Sequence, residues 1–370
     1  MNKLKNKKIA IVHDSFTQFG GAERVLFYLI KMFPKADIYT SLINDKFQKE
    51  IRKKSHGRLY FSKLSNFPFA ISHPSFFKPF FYHYYWEKIN LNKYDLVISS
   101  SHSFCAHFVK VKNKHLCYMY TTPRFLHNEF NELSWLKKPI VYKIFKPYFN
   151  SLIKKNKKKI QEIDTLVTDS INVQNRIKKY YDAKSIVIYP PVKIPNKILS
   201  SKIKGDYYLF FSRLVKQKGI ELVINTFNKN HKPLLVIGTS GQEKKWKKMA
   251  KKNIQFLGFV SDKKIEKIFK NSKALVYASI DEDFGMIPVE AMAYGVPVIA
   301  YKDGGVKESI INNKTGIFFE RYNEKSLNQA LEKFEKTKFN KNDCIKQAKK
   351  FNEQRFDKKF LKKVKQLLND

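Results

Sequence analysis

A repeated rhythm constrains this chain more than any other feature. A short apolar run, a loop and an amphipathic helical run recur along nearly its whole length. Strand expectations in the first half fall on Lys8–Val12, Asp95–Ser99, His115–Tyr120, Thr165–Thr168 and Ser185–Ile188. A helix is expected over Glu23–Phe33, where Val25, Leu26, Leu29, Met32 and Phe33 keep helical spacing. The second half alternates more cleanly, from the strand Tyr207–Phe211 to the strand Ile317–Phe319, and three helical segments close the chain. Strands that alternate with helices form parallel sheets covered on both faces. The expected class is α/β with two doubly wound, Rossmann-like domains.

The rhythm breaks at Tyr189-Pro190-Pro191, and the stretch to Asp206 shows no period. The expected division is a first domain over 1–191, a linker over 192–206, a second domain over 207–350 and a C-terminal helix over 351–370 that packs back on the first. At 370 residues, two domains are the ordinary outcome. A hydrophobic share of 43% is enough to fill two cores and excludes a mainly disordered chain.

Lysine and arginine number 72 against 32 acidic residues, a formal net charge of +40. Such a field attracts nucleic acid, anionic lipid or phosphorylated small molecules without choosing among them. There is no helix-turn-helix signature, zinc spacing or aromatic ribonucleoprotein motif. The widely separated Cys105, Cys117 and Cys344 form no metal spacing and no disulfide framework, which suits a reducing compartment. No apolar run reaches the roughly 18 residues of a spanning helix, and no secretory signal pattern is present. Two stretches stand outside the rhythm: an aromatic run from Phe67 to Trp86 and a lysine-rich run from Lys137 to Lys159. The first reads foremost as packing. The second reads equally as a solvated helix face or as a surface for anionic lipid.

The richest segment for chemistry runs from Asp281 to Ala300. It follows a strand, so its loop lies at the carboxyl edge of the sheet, where ligands bind in open α/β folds. Pro288 suits the first turn of the next helix, and the Gly285 and Met286 N–H groups then point outward toward sugar hydroxyls or an anion. Glu282 and Glu290 lie eight positions apart and suit vicinal diols as bidentate acceptors. Asp281-Glu282-Asp283 also spells a pattern that elsewhere holds a divalent metal, but its glycine and proline context favours the diol. Arg213 and Lys218 converge on the same edge from the loop after Phe211, a pair suited to a diphosphate. In the first half, His13-Asp14 precede a glycine pair, Gly20-Gly21, at a helix start.

Together these segments resemble the retaining glycosyltransferases of family 4, over nearly the whole chain. The resemblance rests on Glu282 to Glu290 with the run that follows, on Arg213 and Lys218, on Gly20 and Gly21, and on Val187-Ile188-Tyr189-Pro190-Pro191-Val192. Ser99-Ser100-Ser101-His102 and Thr121-Thr122-Pro123-Arg124-Phe125 resemble a bacterial subgroup that builds surface polysaccharides, many of them mannosyltransferases using GDP-mannose. The chain departs from that subgroup at Tyr120, where a histidine is usual, and at His127, where a tryptophan is usual.

The resemblance implies the GT-B architecture, with two Rossmann-like domains facing across a cleft. It implies retaining transfer of a hexose, with GDP-mannose the favoured donor, to a glycan or lipid-linked glycan. Glu282, Arg213 and Lys218 would carry catalysis. Gly20, Gly21, Phe284, Gly285, Met286 and Glu290 would join them in holding the donor. His102, Tyr120 and Arg124 would be first-domain contacts to sugar or acceptor. No metal and no cofactor beyond the sugar nucleotide are expected. The chain would work in the cytoplasm, peripherally on the inner face of the membrane, with no specific nucleic-acid partner. The competing readings are a basic nucleic-acid-binding protein without catalysis and an inactive pseudo-glycosyltransferase.

Overall fold

A computed structural model describes residues 6–77, 80–103, 105–127, 139–195 and 205–369. The chain forms two compact units, one of residues 1–189 with 358–370 and one of residues 190–357. The basic residues before Asn6, most of the expected linker (196–204) and Lys137-Lys138 lie outside the described residues.

The first unit is built on seven parallel strands: β1 (Ile9–Phe16), β2 (Asp37–Ile43), β3 (Leu59–Phe61), β4 (Leu96–Ser101), β5 (Lys114–Met119), β6 (Thr165–Thr168) and β7 (Ile186–Val187). Their order is β3-β2-β1-β4-β5-β6-β7. The chain starts in the middle, winds outward to β3, then returns beside β1 and winds the other way. β1 extends past its expected end, because His13, Asp14 and Ser15 are buried with partners inside the sheet. The sequence reading passed over β2, the helix Asp45–Lys54 and β3. β2 carries Thr40 and Ser41 in its middle, which blur the apolar signal, yet both are fully buried.

The second unit has six parallel strands: β8 (Tyr207–Phe211), β9 (Leu234–Ile237), β10 (Ile254–Gly258), β11 (Ser272–Tyr277), β12 (Val298–Tyr301) and β13 (Gly316–Phe319). The order β10-β9-β8-β11-β12-β13 reverses between β8 and β11. Its core gathers Tyr208, Phe210, Phe227, Trp246 and Phe319 between sheet and helices. This unit begins earlier than expected. Val192 donates its N–H to the Phe351 carbonyl and bridges Asn352, so the residues just after the proline pair are tied structure and not linker.

The last helix, Glu353–Asn369, carries the chain back into the first unit. Its Phe360 is fully buried, with ring centroids 6.4 Å from Phe33 and 6.3 Å from Tyr118. Phe360→Ala removes a whole aromatic ring from that contact and should cost about 3–5 kcal/mol. The expected outcome is a lower denaturant midpoint for the first unit with its slope unchanged.

Candidate active site

Both sheets reverse direction at one place, and that place is where an open α/β sheet leaves a crevice at its carboxyl edge. In the second unit it lies between β8 and β11. The loop after β8 carries Arg213 and Lys218, and the loop after β11 carries Ser279 to Gly285. The two loops are locked together through their backbones. Ile280 donates its N–H to the Gln217 carbonyl at 3.1 Å. Gly219 sits at φ +78°, and a Cβ there would meet the Ala278 carbonyl oxygen at 2.3 Å. Glycine is required both for the left-handed turn and for the close approach.

At this junction Glu282 gathers three donors on one oxygen. Its Oε2 lies 2.6 Å from Lys218 Nζ and accepts from the hydroxyls of Tyr277 and Ser279, each at 2.6 Å. Lys218 Nζ also lies 3.3 Å from Ser279 Oγ. Burial works to raise the Glu282 pKa. The Lys218 ammonium and the two hydroxyls more than offset it and hold the carboxyl below the ordinary carboxylate value. The same environment, burial first and the Glu282 charge second, drives the Tyr277 hydroxyl well above its usual value. The site therefore holds a carboxylate and an ammonium in contact, with a phenol fixed as a donor.

A third loop supports this one. Gly305 donates its N–H to the Glu282 carbonyl at 2.7 Å, and Asp303 Oδ2 accepts from the Asp281 N–H at 2.7 Å. Gly304, at φ +68°, packs so closely that a Cβ would lie 2.3 Å from the Glu282 carbonyl oxygen. Of the triplet weighed for metal, Asp281 is bent into a left-handed turn by this contact, and Glu282 faces Lys218. The helix Met286–Ala293 then starts with Gly285 as its cap. The Met286 and Ile287 N–H groups belong to its first turn, which leaves them without helical acceptors. Phe284 is buried against Phe351, and Glu290 is half-buried on the same helix. Arg213 is exposed at the mouth of the β8 loop.

The sequence reading missed Tyr277, Ser279 and the Asp303-Gly304-Gly305 turn. The signal was available for the turn, since a glycine pair between a strand and a helix is the same pattern that drew attention to Gly20-Gly21. Tyr277 is a strand residue, and only the loop folding back onto its hydroxyl gives it a role.

In the first unit the reversal lies between β1 and β4. Gly20 caps the helix Gly21–Met32, and its N–H donates to Glu23 Oε2 at 2.8 Å. Tyr120, expected as a sugar or acceptor contact, is instead buried. Its hydroxyl lies 2.9 Å from Ser100 Oγ and donates to the Ala22 carbonyl at 3.3 Å, so it props the glycine turn. Arg124 Nε donates to Thr121 Oγ1 at 3.2 Å, and the Arg176 guanidinium donates to the same oxygen at 2.9 Å. His102 is half-buried beside Asp14, and the Asp14 carboxylate accepts the His102 N–H at 2.7 Å. His107 is structural: its ring nitrogens meet Ser101 Oγ and Asn156 Oδ1, and burial lowers its pKa to about 4. His127 stacks on Tyr180 with centroids 3.8 Å apart.

Residues 195–351 match the family described as Glycosyl transferases group 1, which covers the second unit and its switch point. Over that stretch the chain is similar to the glycosyltransferases of this family. It is 29% identical over 45% of its length to an uncharacterized glycosyltransferase of Methanocaldococcus jannaschii, covering 48% of that protein. It is 29% identical over 52% of its length to the O-antigen chain mannosyltransferase RfbU of Salmonella typhimurium, covering 56% of that protein. The matched stretch thus spans about half the length of each relative. Among solved structures, Anabaena HepE in complex with UDP and glucose superposes with a TM-score of 0.71 at 17% identity, over 98% of this chain and 100% of that one. That likeness establishes the GT-B fold.

The Lys218–Glu282 contact makes a pH-dependent prediction. Lys218→Met leaves a largely buried carboxylate without its cation and should cost about 2–4 kcal/mol near pH 7. In the wild type, the lowered Glu282 pKa gives stability that is present above the unfolded value of about 4.3 and is lost as pH falls through the folded value. In the variant the carboxyl protonates more readily, so the deficit should shrink as pH falls toward about 5. Chemical unfolding of both proteins across that range checks it.

Proposed function

We propose that this chain transfers a hexose from a sugar nucleotide to a hydroxyl of a glycan or lipid-linked glycan, with retention at the anomeric carbon, in the synthesis of cell-surface polysaccharide. The observation that carries the reading is the Lys218–Glu282 contact at the switch point of the second unit, in loops that also carry Arg213. Cleavage of a sugar–phosphate bond puts developing charge on the departing diphosphate, and a preorganised cation beside it lowers that barrier. Lys218 and Arg213 are suited to that charge, so the diphosphate needs no divalent ion of its own. Without donor, Lys218 rests on Glu282; a bound diphosphate would place the ammonium between carboxylate and phosphate. Glu282 and the Met286 and Ile287 N–H groups then suit the transferred sugar, and Glu290 suits the ribose diol. The Gly20-Gly21 turn of the first unit suits close approach of a phosphate.

A same-face route fits these groups. The acceptor hydroxyl adds to the anomeric carbon as the C–O bond to the diphosphate breaks, and a leaving phosphate oxygen takes the acceptor proton. A double displacement would need a carboxylate nucleophile on the opposite face of the sugar. Mannose from GDP-mannose is the proposed donor, supported by the similarity to the Salmonella mannosyltransferase. UDP-glucose is the natural rival, because HepE is described with UDP and glucose. Thermal unfolding with GDP-mannose, UDP-sugars and ADP-sugars separates them, since a ligand bound to the native state raises its midpoint. Arg213→Ala and Lys218→Ala should each lower turnover about 10²–10³-fold while the protein stays folded. Near-normal turnover in either folded variant removes the diphosphate from this place.

We also propose that the chain works on the inner face of the cytoplasmic membrane. Among the described residues, no helix is long and apolar enough to cross a bilayer. The helix Pro139–Gln161 exposes Lys143, Lys146, Lys154, Lys157 and Lys158, and it also leaves Ile140 76% and Ile144 67% exposed. Phe80, itself exposed, stacks on Tyr148 of this helix and belongs to a run in which Phe67, Phe69 and Phe76 are also exposed. The aromatic run is thus only partly core, with Tyr82 and Trp86 buried. The apolar groups available to lipid are Ile140, Ile144 and these phenylalanines. Phe149 on the same helix is buried against Phe125. Each basic residue near an anionic surface contributes about 1 kcal/mol. Flotation with vesicles should rise with phosphatidylglycerol, fall with salt, and weaken when these lysines are neutralised. Equal flotation on neutral and anionic vesicles refutes the membrane role.

A further inference from the structure

We propose that His13, Glu23 and His102 form a binding site for a divalent transition metal of the zinc class, at the switch point of the first sheet. Each residue comes from a different element: His13 from β1, His102 from the residue after β4, and Glu23 from the first turn of the helix Gly21–Met32. One ligand atom from each lies within 4.8 Å of the others. His13 Nε2 and Glu23 Oε1 are already 3.8 Å apart. Tetrahedral zinc with bonds of about 2.0–2.1 Å holds its ligand atoms roughly 3.4 Å from one another. The cluster therefore needs only a modest contraction to bind an ion. Two imidazoles and one carboxylate form a donor set that suits zinc and leaves a fourth position open.

Two further observations point to an ion. The His13 side chain is completely buried, and its Nε2 makes no hydrogen bond, although such an atom is costly to leave unsatisfied. It faces the Glu23 carboxylate and would be satisfied by coordination. The opposite side of every ligand is also held, as outer-shell partners hold metal ligands. His13 Nδ1 lies 2.9 Å from Ser100 Oγ, His102 Nδ1 lies 3.4 Å from Asp14 Oδ2, and Glu23 Oε2 accepts from the Gly20 N–H at 2.8 Å. Asp14 is in turn fixed by the backbone N–H groups of His102 and Ala106. The result is a carboxylate–imidazole–metal arrangement through Asp14 and His102. The ion would tie the glycine turn to the ends of β1 and β4. No step of glycosyl transfer runs through it.

The rival is a metal-free cluster, with His13 resting against Glu23 and no ion between them. Cobalt distinguishes the two, because Co²⁺ in a site of low coordination number absorbs strongly in the visible and Zn²⁺ displaces it. The intact chain, stripped with chelator and dialysed, is titrated with Co²⁺ and then with Zn²⁺. The expected result is one Co²⁺ per chain with intense visible bands, loss of those bands on adding one equivalent of Zn²⁺, and a raised unfolding midpoint with Zn²⁺. His102→Ala and Glu23→Gln should each abolish the bands and weaken Zn²⁺ binding about tenfold or more. His56→Ala, at an exposed histidine, should change nothing. His102 is only half-buried, so its variant is expected to fold even if a change at His13 does not. A wild-type spectrum that stays that of hydrated Co²⁺, or bands of equal strength in the His102 and Glu23 variants, overturns the proposal and leaves the cluster metal-free.

Discussion

The Lys218–Glu282 contact is the interaction on which the arrangement of the second unit's site depends. A carboxylate and an ammonium that lose most of their water must find each other or lose their charge. Here the Tyr277 and Ser279 hydroxyls complete the coordination, so the carboxylate remains ionised in spite of burial. The contact also joins two loops that leave neighbouring strands at the point where the sheet reverses. Their backbones are pressed together so tightly that Gly219, Gly304 and Gly305 have no room for a side chain. The charge pair is thus set in a rigid frame, and rigidity is what makes a cation effective against charge that develops during a reaction.

The first unit solves the corresponding problem with different chemistry. Its switch point is lined by the His13 and His102 imidazoles, the Ser100 hydroxyl and the Asp14 and Glu23 carboxylates. Glu23 keeps its charge against burial through His13 and His102. Tyr120 lies between Ser100 and the Ala22 carbonyl and so links β4, β5 and the glycine turn. Tyr120 is therefore part of the scaffold under the turn. The two units share a topology, and each places its polar groups where the strand order reverses.

Much was legible in the sequence because the signals were local. Strands β6 and β8 fall where the apolar runs Thr165–Thr168 and Tyr207–Phe211 place them. The acidic and basic residues of the second unit's candidate site could be singled out because they sit in loops directly after strands, where side chains of an α/β sheet meet ligands. β2 and β3 were not legible. A strand carrying Thr40 and Ser41 at its centre shows no apolar run, and only its neighbours in the sheet make those hydroxyls acceptable in a core. The boundary near Pro190 was visible, yet Val192 belongs with the second unit because its N–H finds a carbonyl at Phe351, far along the chain.

The sequence by itself determined the α/β class, the two-unit division, the glycine-bearing turns and which charged residues are candidates in the second unit, because periodicity and turn chemistry act over a few residues. Only the tertiary structure decided what those residues touch. It brought Lys218 to Glu282 across 64 positions of chain and Tyr277 and Ser279 onto the same oxygen. It brought His13 and Glu23 together, buried Phe149, and left Ile140 and Ile144 in the open. Those outcomes depend on which strands become neighbours and how loops fold over their ends. The free energy that selects them comes from contacts between distant segments, and no local pattern records it.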